Sequence, residues 1–180
     1  TMDQIKIQEW KSPFGVLKIG VFQDELCLCD WKYRRMRSAL DMKICSALTA
    51  DMVVQDHHLH IEVIGQLREY FEQKRQQFEL PLKLVGTEFQ QKVWQQLQKI
   101  PYGQTSSYAK QSVRLGKPDA IRAVASANGA NNLTIIVPCH RIIGSDGQMV
   151  GYAGGITVKR RLLQLEHAKI LATQRTLFEN

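Results

Sequence analysis

The chain has 180 residues, of which 44% are apolar and 23% charged, and its formal net charge is +7. This composition is typical of a globular protein with one large or two small domains, and no apolar run approaches the roughly 20 residues of a membrane helix. The start of the chain lacks the features of a secretory signal. Four scattered cysteines do not suggest a disulfide framework, so we expect a reducing, cytoplasmic protein.

The positive charge lies in the second half of the chain. Residues 1–80 carry 11 basic and 12 acidic side chains, whereas residues 81–180 carry 13 basic and 5 acidic ones. A basic domain attached to a nearly neutral one favours a polyanionic partner, with nucleic acid the first candidate. A merely basic, solvated surface explains the same counts, so charge alone leaves the partner open.

The first 80 residues predict strands followed by a helix. Residues 5–7 alternate between apolar and polar, the stretches 16–22 and 25–30 are β-prone, and the turn between those two stretches predicts a hairpin. Residues 31–55 predict only a short helix. Helical spacing of apolar residues then follows Asp56, which we expect to cap a second helix.

Three histidines, His57, His58 and His60, open that second helix. Closely spaced histidines can bind a transition metal, but no second ligand cluster accompanies them, and zinc patterns usually have two pairs. We therefore interpret them as a polar helix start and predict no metal site.

A change in charge balance together with Pro81 and Gly86 predicts a linker at 81–86, between domains 1–80 and 87–180. Three helices are predicted beyond it. A capping box formed by Thr87 and Gln90 starts the first, the second covers about 107–115, and Pro118 opens the third, at about 118–128. Helix, turn and helix in a basic half are the layout of a helix-turn-helix DNA reader, although three ordinary packed helices fit as well.

The third helix has one face of small side chains and one lone cation. We expect the following residues to pack on the core: Ala120, Ala123, Val124 and Ala127. Arg122 points the opposite way, close to Ala125, Ser126 and Gly129. Such a face allows a close approach to a duplex, but a solvated arginine is the common alternative.

The apolar run 133–137 ends at Pro138, and Cys139, His140 and Arg141 follow at once. We expect a buried strand or core segment that Pro138 terminates. A histidine and a cation beside a cysteine favour the nucleophilic thiolate. A lone cysteine is more often a small buried hydrophobe, so this pattern alone leaves both interpretations open. The glycine-rich loop that follows lacks the spacing of a phosphate-binding loop and fits the wall of a pocket for a flat ring.

These motifs resemble those of the O6-alkylguanine-DNA alkyltransferases, also called methylated-DNA–protein-cysteine methyltransferases. The matching residues are Gly86-Thr87-x-Phe89-Gln90, Ile100-Pro101-Tyr102-Gly103, Ser107-Tyr108, Arg122-Ala123-Val124, Asn131, Pro138-Cys139-His140-Arg141, Gly151-Tyr152-Ala153-Gly154-Gly155, Lys159, Leu162-Leu163 and Glu166. So many matches at fixed spacing are poorly explained by chance. Before residue 81 the resemblance rests on position and a rough strand–helix order.

The resemblance implies an α/β fold of the α+β kind, with a ribonuclease-H-like sheet-and-helix domain before a mainly helical domain that holds a winged-helix-like helix-turn-helix. It also implies a monomeric, cofactor-free, single-turnover repair protein. Its partner is double-stranded DNA that contains O6-alkylguanine, and activity on O4-alkylthymine stays open. In this reaction Cys139 takes the alkyl group, His140 deprotonates Cys139 through a water, and Glu166 orients His140. Asn131 hydrogen-bonds within this group, and Tyr108 donates a proton to the leaving base.

The resemblance further implies that the target nucleotide is flipped out of the duplex. Arg122 would fill the gap from the minor groove, with Ala123 and Ser126 on the same DNA-facing side and Tyr108 against the adjacent phosphate. The implied pocket wall consists of Tyr152, Ala153 and Gly154.

One departure from the family pattern is Asn132, where the family usually has a proline; Leu133 and Thr134 follow it. We expect a softer loop and an altered pocket. The resemblance therefore predicts the activity better than it predicts the range of alkyl lesions that the pocket accepts. The main alternative function is a non-enzymatic helix-turn-helix protein that binds and flags alkylated DNA. Another is a thiol hydrolase or redox protein, which would turn over repeatedly without DNA.

Overall fold

The computed structural model describes residues 3–167, and the chain divides into two compact units after Gly86. The first unit is an α/β domain. Its elements are β1 (Asp3–Ser12), β2 (Gly15–Phe22), β3 (Glu25–Trp31), α1 (Arg37–Leu48), β4 (Ala50–Val54) and α2 (His58–Phe71). The strand order is β3-β2-β1-β4, with β4 parallel to β1 and the other pairs antiparallel.

The predicted hairpin between β2 and β3 is confirmed. Its two turn residues, Gln23 and Asp24, have φ angles of 47° and 63°, the left-handed values that a tight two-residue hairpin requires. Cys27 and Cys29 on β3 are completely buried and fill the core. Strand β4 was not predicted, because its pairing with β1 joins residues about fifty positions apart and leaves little local signal.

Helix α2 begins with the histidines, as expected, but Asp56 does not cap it. His57 is the N-cap: its Nδ1 accepts from Leu59 N at 3.0 Å, and His60 Nδ1 accepts from His57 N at 3.0 Å. The two rings therefore satisfy the exposed amides that an aspartate was expected to satisfy. The Asp56 carboxylate instead accepts a hydrogen bond from Gln8.

The stretch 81–86, expected to be a linker, packs along β3. Leu26 N donates to Pro81 O, and Lys83 N donates to Leu26 O, each at 2.8 Å. Val85 contacts the apolar core of the first unit. This segment therefore covers an edge of the sheet that would otherwise expose unpaired amides.

The second unit is mainly helical, with α3 (Glu88–Leu97), α4 (Tyr108–Arg114), α5 (Ile121–Gly129), a 3-10 turn (Cys139–Arg141) and α6 (Ile156–Leu165). The capping box predicted at the start of α3 is confirmed, since Gln90 N donates to Thr87 Oγ1 at 3.1 Å and Thr87 N donates to Gln90 Oε1 at 2.9 Å. Ser107 caps α4 through Lys110 N. Within residues 3–167, no helix is long and apolar enough to cross a bilayer.

Helix α5 begins three residues later than predicted, because Pro118 lies in the turn that joins α4 to α5 rather than in the helix. Its buried face consists of Val124, Ala127 and Asn128. The prediction that Ala123 packs inward is wrong: it is exposed. The polar Asn128 takes the buried position instead, because its amide finds partners there.

Two hydrogen bonds fix α5 in the helix-turn-helix. Trp94 Nε1 on α3 donates to Ala127 O at 2.8 Å. Asn128 Nδ2 donates to Gln111 Oε1 on α4, also at 2.8 Å. Both groups are buried, so these bonds hold α5 against its two neighbours in one orientation.

The apolar run 133–137 is a buried core segment, as one of the two alternatives predicted, but it forms a turn and not a strand. Ile135 has a φ of 70°, a left-handed conformation that is costly for a β-branched residue. Val137 N donates to Leu133 O at 2.8 Å across this turn. The chain therefore reaches Cys139 on a tightly constrained backbone.

Candidate active site

Cys139 is the first residue of the 3-10 turn and is half-buried. Asn131 Nδ2 donates to Cys139 Sγ at 3.2 Å and to Val137 O at 2.8 Å, and Asn131 Oδ1 accepts from Leu133 N at 2.9 Å. One buried amide therefore holds both the sulfur and the turn that precedes it. An N–H donor favours the charged form of a sulfur, because it offers a positive dipole to the thiolate.

Glu166, the C-cap residue of α6, is buried and accepts hydrogen bonds from two side chains of the 3-10 turn. His140 Nε2 lies 2.7 Å from Oε2, and Arg141 donates through Nε to Oε1 at 2.8 Å and through Nη2 to Oε2 at 3.1 Å. Burial raises the pKa of Glu166, but the charges and hydrogen bonds of His140 and Arg141 outweigh it and hold this pKa well below its ordinary value. The carboxylate is therefore ionised.

An ionised Glu166 determines the tautomer of His140. Because the carboxylate can only accept, the proton of the neutral ring lies on Nε2 and Nδ1 keeps its lone pair. Burial lowers the pKa of His140, against the opposing effect of Glu166, so the neutral ring is favoured. Among the described residues 3–167, Nδ1 is buried and has no hydrogen-bond partner. This nitrogen is a base with an open acceptor position next to Cys139 in the chain.

Arg141 does not take the position that the sequence suggested. It was expected to place a cation beside Cys139, but its guanidinium is buried against Glu166 and donates through Nη1 to Ile100 O at 2.7 Å. The positive charge of Arg141 therefore stabilises the ionised carboxylate of Glu166.

Lys159, to which sequence analysis assigned no role, is a second cation of this unit and interacts electrostatically with Cys139. Lys159 lies on α6, is completely buried, and donates through Nζ to Val150 O at 3.0 Å. No carboxylate within residues 3–167 forms an ion pair with it. Burial lowers the pKa of Lys159 to about 8, and a negative charge on Cys139 opposes that shift. The sequence contained one sign of this position, because Lys159 is a polar residue on the same helical face as Leu162 and Leu163, which are buried.

Tyr108 is the first residue of α4 and is half-buried. Burial raises its pKa, and the charge of Cys139 adds to the effect. The phenol therefore stays protonated near neutral pH and can act as a proton donor.

The other predicted site residues lie on α5 and on the loop before α6. Arg122, Ala123 and Ser126 are exposed together on α5, and Arg122 forms no ion pair within the described part of the chain. Tyr152, Ala153 and Gly154 are half-buried in the loop before α6. The Tyr152 hydroxyl shares a hydrogen bond with Thr134 Oγ1, so this loop contacts the turn that leads to Cys139.

The histidine cluster of the first unit offers one ligand atom each from Asp24, His57 and His58, all within 4.8 Å of one another. However, His57 Nδ1 accepts from Leu59 N, so the ring proton lies on Nε2, which is 2.8 Å from Asp24 Oδ1 and donates to it. Neither nitrogen of His57 is then available to a metal while the helix cap persists. The arrangement fits the structural role predicted for these residues.

The fold and this geometry define a class of protein: a helix-turn-helix domain in which a cysteine that accepts from an amide is followed by a histidine bound to a buried glutamate. Residues 88–168 match the family model described as the DNA-binding domain of 6-O-methylguanine DNA methyltransferase. A methylated-DNA–protein-cysteine methyltransferase of Mycobacterium leprae is 50% identical over 118 residues, which cover 66% of this chain and 71% of the relative. The constitutive methyltransferase of Bacillus subtilis is 53% identical over 106 residues, which cover 58% and 64%.

Solved structures are similar over nearly the whole chain. The crystal structure of Mycobacterium tuberculosis O6-methylguanine methyltransferase has a TM-score of 0.77 at 36% identity and covers 97% of this chain and 99% of its own. That of Mycobacterium tuberculosis OGT in complex with DNA has a TM-score of 0.76 at 36% identity and covers 91% and 92%. The chain belongs to the methylated-DNA–protein-cysteine methyltransferase family. The expected family and fold class are thereby confirmed.

Proposed function

We propose that this chain is a single-turnover DNA repair protein that moves the alkyl group of O6-alkylguanine in duplex DNA to Cys139 Sγ. The observation that carries the proposal is the buried, unpartnered Nδ1 of His140, whose other nitrogen is bound to an ionised Glu166. That nitrogen accepts the thiol proton of Cys139 through a water, and Glu166 stabilises the imidazolium that forms. The relatives named above carry this activity in their names, which supports the assignment.

The transfer is an in-line displacement at carbon. A bond forms between Cys139 Sγ and the alkyl carbon as the bond from that carbon to O6 breaks. Tyr108 donates its phenolic proton to the leaving guanine, and its raised pKa keeps this proton available. The product is a thioether, which has no low-energy route back to the thiol, so each molecule repairs one lesion. Asn131 and Lys159 favour the thiolate before the reaction.

The lesion reaches Cys139 only if the nucleotide leaves the base stack, at a cost of a few kcal/mol. The exposed face of α5 supplies the means: Arg122 fills the vacated space from the minor groove, while Ala123 and Ser126 are small enough to let the helix approach. Tyr108 contacts the adjacent phosphate. The extruded base rests against Tyr152, Ala153 and Gly154. We further propose that the protein acts as a monomer in the cytoplasm and that O4-alkylthymine is a secondary substrate.

The proposal is tested by incubating the full chain with excess duplex that contains O6-methylguanine and measuring the intact mass. We expect the gain of one methyl group in place of one hydrogen per molecule, located on the Cys139 peptide, with no further gain over time. Cys139→Ala should bind the duplex without any gain in mass. Cys45→Ser is a matched control, because Cys45 is a half-buried cysteine of the first unit, and it should react like the wild type.

Two outcomes would contradict the proposal. Tight binding to the methylated duplex without a change in mass would indicate a protein that only flags the lesion. A substoichiometric amount of protein that consumes many lesions would indicate a turnover enzyme instead of a single-use acceptor.

A further inference from the structure

Helix α5 has a small apolar contact surface. Of its nine residues, Val124 and Ala127 are the buried apolar ones. Apolar contact is non-directional and scales with the buried area, so two such small side chains do not fix the rotation of a helix. The hydrogen bond from Trp94 Nε1 to Ala127 O holds α5 at one point, and a helix held at one point can still pivot. The orientation of α5 therefore depends on a second directional bond.

Gln111 on α4 supplies that second bond and is almost completely buried. Its side-chain Oε1 accepts from Asn128 Nδ2 at 2.8 Å, and its main-chain oxygen accepts from Gln96 Nε2 on α3 at 3.3 Å. Asn128 Nδ2 also donates to Val124 O at 2.9 Å, one turn earlier in α5. Because an amide nitrogen carries two hydrogens, both are used and the Asn128 side chain is held toward Gln111. Gln111 thus joins three helices.

The pair of Gln111 and Asn128 contributes direction more than stability. Gln111 Nε2 and Asn128 Oδ1 are buried and have no hydrogen-bond partner within residues 3–167. A buried polar atom without a partner is costly, so two apolar side chains of similar size would hold the helices at least as firmly. A hydrogen bond, however, favours a narrow range of angles, which an apolar contact does not.

This bond lies at the opposite end of α5 from Arg122. Asn128 is in the last turn of the helix, whereas Arg122 is its second residue, about 9 Å away along the axis at 1.5 Å per residue. Tyr108 begins α4, one turn before Gln111. A small rotation of α5 about its last turn therefore changes the position of Arg122 relative to Tyr108.

We propose that Gln111 is a positioning residue for the alkyl transfer, an inference that rests on the proposed function. Through Asn128 it sets the orientation in which α5 presents Arg122 to the duplex. Gln111 itself is buried in the helix-turn-helix and touches neither the lesion nor Cys139. Without the bond, α5 stays packed but samples several orientations, so Arg122 enters the space of the flipped base less often.

The experiment replaces the amide pair by apolar side chains of similar size, Gln111→Met together with Asn128→Leu. We expect this double variant to melt at or above the temperature of the wild type, because both polar partners are removed together. Its affinity for undamaged duplex should stay within about twofold of the wild type. Single-turnover transfer from saturating O6-methylguanine duplex should slow about fivefold, the factor expected for one neutral hydrogen bond. Gln111→Met alone removes the same bond and keeps the test intact if the double variant folds poorly.

A second measurement separates positioning from a general loss of structure. The amide-pair substitutions are combined with Arg122→Ala. Residues that are not in contact usually have additive effects. If Gln111 acts through Arg122, however, the amide-pair substitutions should slow transfer no further once Arg122 is absent.

Gln66→Met is the matched control, since Gln66 is a buried glutamine of the first unit that donates to Glu79 O and accepts from Glu79 N. Transfer by this folded variant should equal that of the wild type. Unchanged transfer in the amide-pair variant and in Gln111→Met would overturn the inference, as would full additivity with Arg122→Ala. If the wild type transfers no methyl group at all, the proposed function fails instead, so the two failures are distinguishable.

Discussion

Each unit of this protein contains a buried carboxylate that accepts from two basic side chains. In the first unit, Asp30 is completely buried and accepts from Arg34 Nη1 at 2.8 Å and from Arg37 Nη1 at 2.7 Å. It also accepts from Trp31 N at 2.9 Å. Both partners are arginines, which stay charged at any physiological pH. This cluster joins the end of β3 to the start of α1 and has no proton to exchange.

In the second unit, Glu166 likewise accepts from two basic side chains, but one of them is His140 and not an arginine. A histidine can gain or lose a proton near neutral pH, whereas an arginine cannot. Arg141 compensates the charge of Glu166, so His140 can remain neutral while bound to it. The comparison shows that the two clusters differ in one partner, a histidine that can exchange a proton in place of an arginine that cannot.

The cysteines of the two units also differ in the surroundings of their sulfur atoms. Burial raises the pKa of Cys27 to about 12 and raises that of Cys29 as well, so both thiols of β3 stay protonated. Cys139 is half-buried, has an amide donor at 3.2 Å, and lies within the electrostatic influence of Lys159. Reactivity therefore follows the surroundings of each sulfur.

The strongest test of the comparison is to neutralise each carboxylate. Glu166→Gln should slow transfer from O6-methylguanine by about 10²–10⁴-fold, the usual contribution of a general base and its support. Asp30→Asn should leave the transfer rate of the folded protein within a few-fold of the wild type. Both variants should lose about 3–5 kcal/mol of stability, because each leaves buried arginine charge uncompensated. Single-turnover kinetics and urea unfolding measure the two effects.

Acid unfolding provides the control for this pair. The pKa of Glu166 is lower in the folded state than its unfolded value, so the stability it contributes is complete above about pH 4.3 and is lost as the pH falls below that value. Glu166→Gln should therefore weaken the dependence of stability on pH in this range. If both carboxylate variants slow transfer equally, the proposed difference between the clusters is wrong.

A second test concerns the cation beside Cys139. Lys159→Met keeps the length of the side chain and removes its charge, so the midpoint of Cys139 alkylation by iodoacetamide should move to higher pH. Transfer near pH 7 should slow roughly tenfold in proportion to the lost thiolate. The variant should also be more stable than the wild type, because burial of an ammonium without a carboxylate partner is costly. Peptide mass mapping across a pH series and thermal unfolding give the measurements.

Lys159→Arg separates charge from packing, since it keeps the charge in a larger group. It should retain the alkylation midpoint of the wild type better than Lys159→Met does. A midpoint that does not move in Lys159→Met would show that Asn131 alone provides the support for the thiolate.

Local features of this fold were predictable from the sequence, whereas features set by packing between distant segments were not. The capping box of Thr87 and Gln90 and the turn at Gln23 and Asp24 each depend on neighbouring residues, so the sequence pattern was sufficient. Strand β4 depends on a partner about fifty residues away, and no local pattern identifies it.

The same distinction between local pattern and long-range packing applies to the candidate site. The catalytic hypothesis for Cys139, His140 and Glu166 came from spaced motifs, and the roles of these residues stay predictions. The electrostatic interaction of Lys159 with Cys139 was not predictable, because Lys159 is twenty residues away in the chain, whereas Arg141, only two residues away, packs against Glu166. Helical periodicity placed Ala123 in the core, whereas the resemblance placed it on the DNA-facing side; a uniform small-residue stripe does not show that the polar Asn128 would take the buried position.

The smallest effect is expected for substitution of Arg122 on α5, and the exposed Arg35 of the first unit provides the comparison. Arg122→Ala should bind undamaged duplex almost as well as the wild type, because the cation is proposed to act after the base has left the stack. Transfer should slow about fivefold, which corresponds to roughly 1 kcal/mol in the flipped state. Arg35→Ala should change neither quantity. Binding titrations and single-turnover kinetics at one fixed salt concentration measure both, since phosphate contacts depend strongly on salt.

The pattern of losses distinguishes the two ways in which Arg122 could act. If Arg122 fills the space left by the flipped base, it stabilises the complex only after the base has left the stack. Its removal then slows transfer more than it weakens binding. A phosphate contact contributes to every bound state, so its removal would weaken binding and transfer by the same factor and make the salt dependence of binding less steep by about one unit. Equal losses in Arg122→Ala would therefore reassign this residue from base flipping to backbone contact, while a loss in Arg35→Ala would show that the first unit also takes part in DNA binding.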